Sequence, residues 1–196
     1  NEPRWRNTNF EWNGGNSEGR EVVNKLNADF VKAVRATGGN NKYRALMIPT
    51  YAASTSSLEG FTVPDDKSLI VSVHAYSPYN FAMNENGTSV FDPTKNDSTG
   101  ELIWLSDTLY DRFISKGVGA IIGECGTVNK NNITSRIAWA KYFPVVFGDN
   151  GIPVFLWDNN AYGTGNETFG QLHRNTLTWE YPQYIQALVE AAKSCK

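Results

Sequence analysis

At 196 residues, with 40% hydrophobic and 19% charged side chains, the chain has the size and balance of about one globular domain with a buried core. Its formal net charge of −2 and the lack of any long Lys or Arg run exclude a surface built to track a phosphate backbone, so nucleic acid is not an expected partner. No apolar stretch approaches the roughly 20 residues needed to span a bilayer, and Asn1-Glu2-Pro3-Arg4 lacks a signal-peptide pattern, which predicts a soluble chain from which any export signal has been removed.

In chain order, the first periodic segment is Glu21 to Thr37, where Val23, Leu26, Phe30 and Val34 predict a helix with one buried stripe, stopped by Gly38-Gly39. A short apolar run, Ala45 to Pro49, follows and ends in Thr50 and Tyr51. Ser54 to Lys67 carries at most one helical turn. Leu69 to Val73 is the second strand-like run, followed by His74 and Tyr76, and Asn80 to Thr99 reads as a long polar loop. Glu101 to Lys116 predicts a helix with Leu102, Leu105, Leu109 and Phe113 inward and Gly117 ending it. Gly119 to Gly123 is the third run and leads to Glu124; Ser135 to Phe147 is helical; Pro153 to Trp157 is the fourth run, followed by Asp158, Asn159 and Asn160. A last helix spans Pro182 to Lys193. Strands alternating with helices argue for β/α units around a parallel sheet, with function at the polar strand ends. With no repeats or linkers, residues 1–196 are expected to form part of one domain. Four strands leave a sheet face uncovered, and Asn1-Glu2-Pro3 reads as a strand end without its strand.

Several residues at those ends carry chemistry. Glu124 closes an apolar strand between Gly123 and Gly126, where a carboxylate is either functional or one half of a buried ion pair. Glu2 is held extended by Pro3; read alone it is an exposed carboxylate sooner than a functional one. His74 and Tyr76 share a face by the two-residue period, as pocket residues or as satisfied core polars. Trp157 fits a pocket floor or ordinary packing, and the 13% aromatic content serves cores and sugar stacking alike. Cys125 and Cys195 read as free thiols; Cys125 as a nucleophile needs a base, and His74 and His173 are the only histidines.

Taken together, Asn1-Glu2-Pro3, Glu11-Trp12-Asn13-Gly14-Gly15, Met47-Ile48-Pro49-Thr50-Tyr51-Ala52-Ala53, Val73-His74-Ala75-Tyr76, Gly123-Glu124-Cys125-Gly126 and Trp157-Asp158-Asn159 resemble glycoside hydrolase family 5, subfamily 4. The likeness extends through Thr168-Phe169-Gly170 to Thr178-Trp179-Glu180-Tyr181-Pro182. It implies an α/β fold, the C-terminal half of a (β/α)₈ TIM barrel from the end of strand four to helix eight. It also implies endo-acting, retaining cleavage of β-1,4-glucan linkages in cellulose, mixed-linkage glucan or xyloglucan, without metal or organic cofactor. Glu2 would be the acid/base and Glu124 the nucleophile. Asn1 would hydrogen-bond near the sugar 2-hydroxyl, His74 and Tyr76 would position Glu124, and Trp157 would stack under the sugar, while Trp12, Phe81 and the Asn80 to Thr99 loop would help to choose the substrate. A barrel of eight strands about 4.8 Å apart has a radius of roughly 7.5 Å, which leaves on the order of 5 to 6 Å between two inward glutamates on strands four and seven, the separation of retaining enzymes. Such an acid should have its pKa raised by burial and by the neighbouring carboxylate. The family's arginine and histidine from the first four strands have no counterpart here, so completion by a complementary N-terminal half barrel or by a second copy is expected; the alternative is a catalytically incompetent half barrel that binds β-glucan by stacking. A polymeric substrate implies secretion, and Asn86-Gly87-Thr88, Asn96-Asp97-Ser98, Asn132-Ile133-Thr134 and Asn166-Glu167-Thr168 fit the glycosylation sequon.

Overall fold

The structure, a computed structural model, describes residues 1–195. The expected alternation is present: α1 (Ser17–Ala36), β1 (Leu46–Ser54), β2 (Leu69–His74), the short α2 (Tyr79–Ala82), α3 (Asn96–Arg112), β3 (Gly119–Cys125), α4 (Ile133–Gly148), β4 (Val154–Leu156), β5 (Leu172–His173), β6 (Thr178–Trp179) and α5 (Pro182–Ser194). These elements group into two units, residues 1–74 with 111–123, and residues 75–110 with the chain from 124 onward. Among the described residues no helix is long and apolar enough to cross a membrane.

In the first unit Asn16 caps α1, its side-chain oxygen accepting the Gly19 N–H at 2.8 Å, and Glu18 and Arg35 sit at the helix ends that favour their charges. The buried stripe is Gly19, Val23, Asn27 and Val31. Leu26 and Phe30, expected inside, are 55% and 44% exposed. The helix is rotated because Gly19 abuts the Tyr51 ring, Val23 packs with Tyr51 and Ala52, and the Asn27 amide donates to the Pro49 carbonyl at 2.9 Å. β1 pairs with β2 in parallel, Leu46 beside Leu69 and Ile48 beside Val71, and β3 hydrogen-bonds along the other side of β2. β1 runs on to Ser54 through an irregularity after Pro49, where Ala52 and Ala53 adopt positive φ of 53° and 48°. Their small side chains limit the strain of that left-handed conformation. The Ser54 to Lys67 stretch holds one 3₁₀ turn, Thr55–Ser57.

The second unit is built on α3, α4 and α5. Leu102, Leu105 and Leu109 of α3 are buried as their spacing predicts, each contributing about 1.5–3 kcal/mol of apolar transfer. α4 is apolar on most sides, and Trp139, Phe143 and Phe147 stack along it with centroids 4.4 and 4.7 Å apart. The Trp139 indole N–H donates to the Ser77 carbonyl at 2.9 Å, and its ring lies parallel to Tyr184 of α5. The polar stretch 80–99 is not all loop: Asn96 to Thr99 form the first turn of α3, with the Thr99 N–H bonded to the Lys95 carbonyl. Those residues read as loop because the residues that cap helices also make turns. The antiparallel pair β5 and β6 was not expected from sequence.

The first unit is also fastened by Arg35, whose guanidinium grips Asp66 at 2.6 and 2.9 Å while the Ser68 N–H donates to the same carboxylate. The Arg35 bond and the Ser68 amide hold Asp66 down at about 2 from an ordinary value of 3.8. The stability it lends is therefore complete above pH 4 and lost as pH falls through about 2. Urea unfolding at pH 5 and pH 2.5 should show a component of acid destabilisation that is absent from Asp66→Asn, the variant being less stable than the parent at pH 5.

Candidate active site

Glu2 begins a segment that runs beside β1, the Pro3 carbonyl accepting the Ala52 N–H at 2.9 Å as a neighbouring strand would. His74, the last residue of β2, meets Glu2 there, with Nδ1 2.9 Å from Oε1. The imidazole has room because residue 123 is glycine: a Cβ would lie 2.3 Å from the Ser72 hydroxyl oxygen and 3.3 Å from the His74 ring. On the other side Arg4 Nη1 donates to the Glu2 carbonyl at 3.1 Å and lies 3.5 Å from Oε2. The His74 hydrogen bond outweighs the upward push of burial and, with the charges of His74 and Arg4, holds the Glu2 carboxyl below its ordinary value. That corrects the sequence expectation of a raised pKa, which considered burial and a like charge but not two basic partners.

The segment after Glu2 is folded back onto β1 by Tyr51. Its hydroxyl accepts the Trp5 N–H at 2.8 Å and donates to the Phe10 carbonyl at 2.7 Å. The ring fits between Gly15, at φ 65°, and Gly19; a Cβ on either would come within 2.7 Å of it. The Glu11-Trp12-Asn13-Gly14-Gly15 motif thus owes its glycines in part to an aromatic ring. Trp12 is 51% exposed with the Arg4 guanidinium 4.1 Å over its ring, and Asn1 is exposed at the head of the segment.

The second unit holds the other carboxylate. Tyr76 donates its hydroxyl to Glu124 Oε2 at 2.9 Å, and the neighbouring Ala75 N–H donates to the Glu124 carbonyl at 2.8 Å. Phe169, 2% exposed, packs 5.1 Å from the Tyr76 ring and fixes its tilt, a support that sequence reasoning did not assign. The next backbone rung is Trp157 N–H to the Cys125 carbonyl, 2.8 Å, which sets Trp157 just beyond β4, where the residue is 39% exposed. After it Asp158 accepts the N–H groups of Asn160 and Leu172 at 2.8 and 3.0 Å; burial pushes its pKa up, but these bonds win and hold it low. Asn159 accepts from Ala161 and Phe169, so the loop is shaped by side chains bonding to their own backbone.

Two expected roles change. Phe81 is 1% exposed and packs on Phe91, so its ring has no open face for a sugar and belongs to the core. Cys125 is fully buried, its thiol donating to the Phe155 carbonyl, and burial pushes its pKa far up, which removes it as a nucleophile. Both cysteines are free, as expected.

The model of the Cellulase family (glycosyl hydrolase family 5) matches residues 1–163. The chain is similar to Endoglucanase A of Clostridium longisporum, 48% identical over 99% of this chain and 38% of that protein. It is also similar to Endoglucanase B of Neocallimastix patriciarum, 44% identical over 97% of this chain and 40% of that protein. Among solved structures, a GH5-4 broad specificity endoglucanase from Clostridium longisporum superposes with a TM-score of 0.94 at 44% identity, covering 100% of this chain and 57% of that one. One from Ruminococcus champanellensis with bound cellotriose gives 0.87 at 46% identity, covering 96% and 55%. The chain thus spans well under half of those two curated relatives and just over half of these (β/α)₈ neighbours.

Because the His74 hydrogen bond is the largest influence on Glu2, His74→Ala should raise the pKa at which Glu2 titrates. Carbon-13 NMR of the labelled carboxyl reads it directly, and an unchanged or lower midpoint would contradict the assigned contact.

Proposed function

The chain belongs to glycosyl hydrolase family 5, and on that footing we propose that it carries the acid/base and the nucleophile of a secreted, endo-acting, retaining β-glucan hydrolase. The observation that carries the reading is the Tyr76–Glu124 hydrogen bond at the end of an apolar strand, in a chain whose likeness to endoglucanases runs along nearly its whole length. A hydroxyl donor on one carboxylate oxygen fixes the orientation from which Glu124 would attack.

In the double displacement Glu124 attacks the anomeric carbon while the Glu2 carboxylic acid protonates the departing glycosidic oxygen. Glu2, now a carboxylate, takes a proton from the water that releases the sugar. Its basic neighbours, His74 and Arg4, suit the second half of that cycle. For the first half Glu2 must hold a proton, which a bound sugar favours by stripping water from the carboxyl. Trp157 offers its exposed ring to a sugar face, and Asn1 a polar group beside the acid. β-1,4-Glucan, mixed-linkage glucan and xyloglucan share the backbone such a site reads, and solved neighbours described as broad specificity endoglucanases support that range.

Release of new reducing ends from carboxymethylcellulose, lichenan and xyloglucan tests the activity, and the anomer first formed, read by proton NMR, tests retention. Glu2→Gln and Glu124→Gln should each lower kcat on the polymers by about 10²- to 10⁴-fold. Sugar binding without product release would favour a binding fragment, and an inverted first product would refute the double displacement.

A further inference from the structure

Glu2 has a second charged neighbour that the reaction does not itself require, and that neighbour is held from several directions. Arg4 Nε donates to Glu11 Oε1 at 3.1 Å, Nη1 donates to the Glu2 carbonyl at 3.1 Å and reaches Oε2 at 3.5 Å, and the guanidinium lies 4.1 Å over the Trp12 ring. Glu11 is fixed in turn, its Oε2 accepting the Asn7 N–H at 2.8 Å. The side chains of Arg4, Glu11 and Glu2 are 20%, 19% and 25% exposed, so none of these contacts is a loose surface pair. Pro3 joins Glu2 to Arg4 with a restricted backbone, and Tyr51 ties the segment to β1 between Arg4 and Glu11, through Trp5 and Phe10.

We infer that Arg4 and Glu11 are a positioning pair for Glu2, Arg4 orienting the carboxyl opposite His74 and Glu11 setting how much of the guanidinium charge reaches it. The inference rests on the reading of Glu2 as acid/base. Its physical content is division of charge. The shorter bond of Arg4 goes to Glu11 and the longer contact to Glu2, so the candidate acid has a cation beside it that is already largely neutralised. A bare cation would hold Glu2 ionised and spoil proton donation. No cation at all would leave Oε2 without its orienting partner. The Trp12 ring, 4.1 Å from the guanidinium, adds a wall that limits its movement. Within its unit the basic side chains facing Glu2 are His74 from β2 and Arg4 from its own segment.

The pair makes opposite predictions for its two members. On lichenan, the basic limb of the kcat/KM profile reports the proton on the free acid. Arg4→Met should move that limb to higher pH and Glu11→Gln to lower pH, each by about half a pH unit, given partial exposure. Arg4→Met should also lower kcat/KM on the polymer about tenfold. On 2,4-dinitrophenyl cellobioside, whose leaving group departs without protonation, the loss should be under about twofold. Equal losses on both substrates with an unmoved limb, or limbs moving in the same direction, would overturn the inference and leave the pair as a loop clasp. If Arg4→Met does not fold by circular dichroism, the near-isosteric Glu11→Gln decides alone, and a limb that stays or rises overturns it. Glu2→Gln separates the two readings: if it keeps polymer activity, the acid assignment itself falls, whatever the other variants do.

Discussion

The hydrogen bond from the Ala75 N–H to the Glu124 carbonyl carries strand pairing past the end of β2, and the chemistry of the second unit depends on it. With the backbones of residues 75 and 124 held 2.8 Å apart, Tyr76 needs only one rotamer to reach the Glu124 carboxylate. The next rung, Trp157 to Cys125, ties the start of the following loop to the same strand. A carboxylate, its orienting hydroxyl and an exposed indole are thus fixed by main-chain geometry, which tolerates little drift, and Phe169 braces the tyrosine from behind. Placement on rigid strands holds such a constellation more accurately than loops would.

The first unit meets a different demand. In the proposed reaction its carboxylate changes protonation state, and its surroundings are charged and hydrogen-bonded where those of Cys125 are apolar. His74 approaches over a glycine, Arg4 arrives through a proline, and the glycines around Tyr51 keep the intervening segment close to β1. Each of these small or restricted residues removes freedom from the backbone or opens space for a functional ring. β1 itself contains the left-handed Ala52 and Ala53, where the strand is irregular beside Pro3.

Much of this was legible in the sequence, and the failures have physical reasons. The four apolar runs became β1 to β4 because buried parallel strands need apolar residues on both faces, and the α3 stripe held because Leu102, Leu105 and Leu109 share one face. α1 was rotated from its expected stripe because a glycine and an asparagine, which hydropathy does not mark as inward, make its closest contacts with β1. Glu124, Tyr76, Glu2 and His74 were singled out by position at strand ends and by family likeness, and the structure pairs Tyr76 with Glu124 and His74 with Glu2. The charge state of Glu2 was not, since Arg4 and His74 come from opposite directions and spacing alone does not reveal them. Phe81 misled because an aromatic residue in a polar stretch reads as exposed, although the short α2 turns it inward.

Cys125 illustrates how finely polarity is partitioned along one strand. Glu124 is partly open while the adjoining thiol is sealed in, as the alternation of side chains along β3 requires. A thiol reagent in solution therefore cannot touch Cys125 until the strand comes apart, and its labelling rate measures how often the backbone beneath Glu124 opens. The protein carries its own gauge of the local stability of that strand, one residue away from the carboxylate the strand supports.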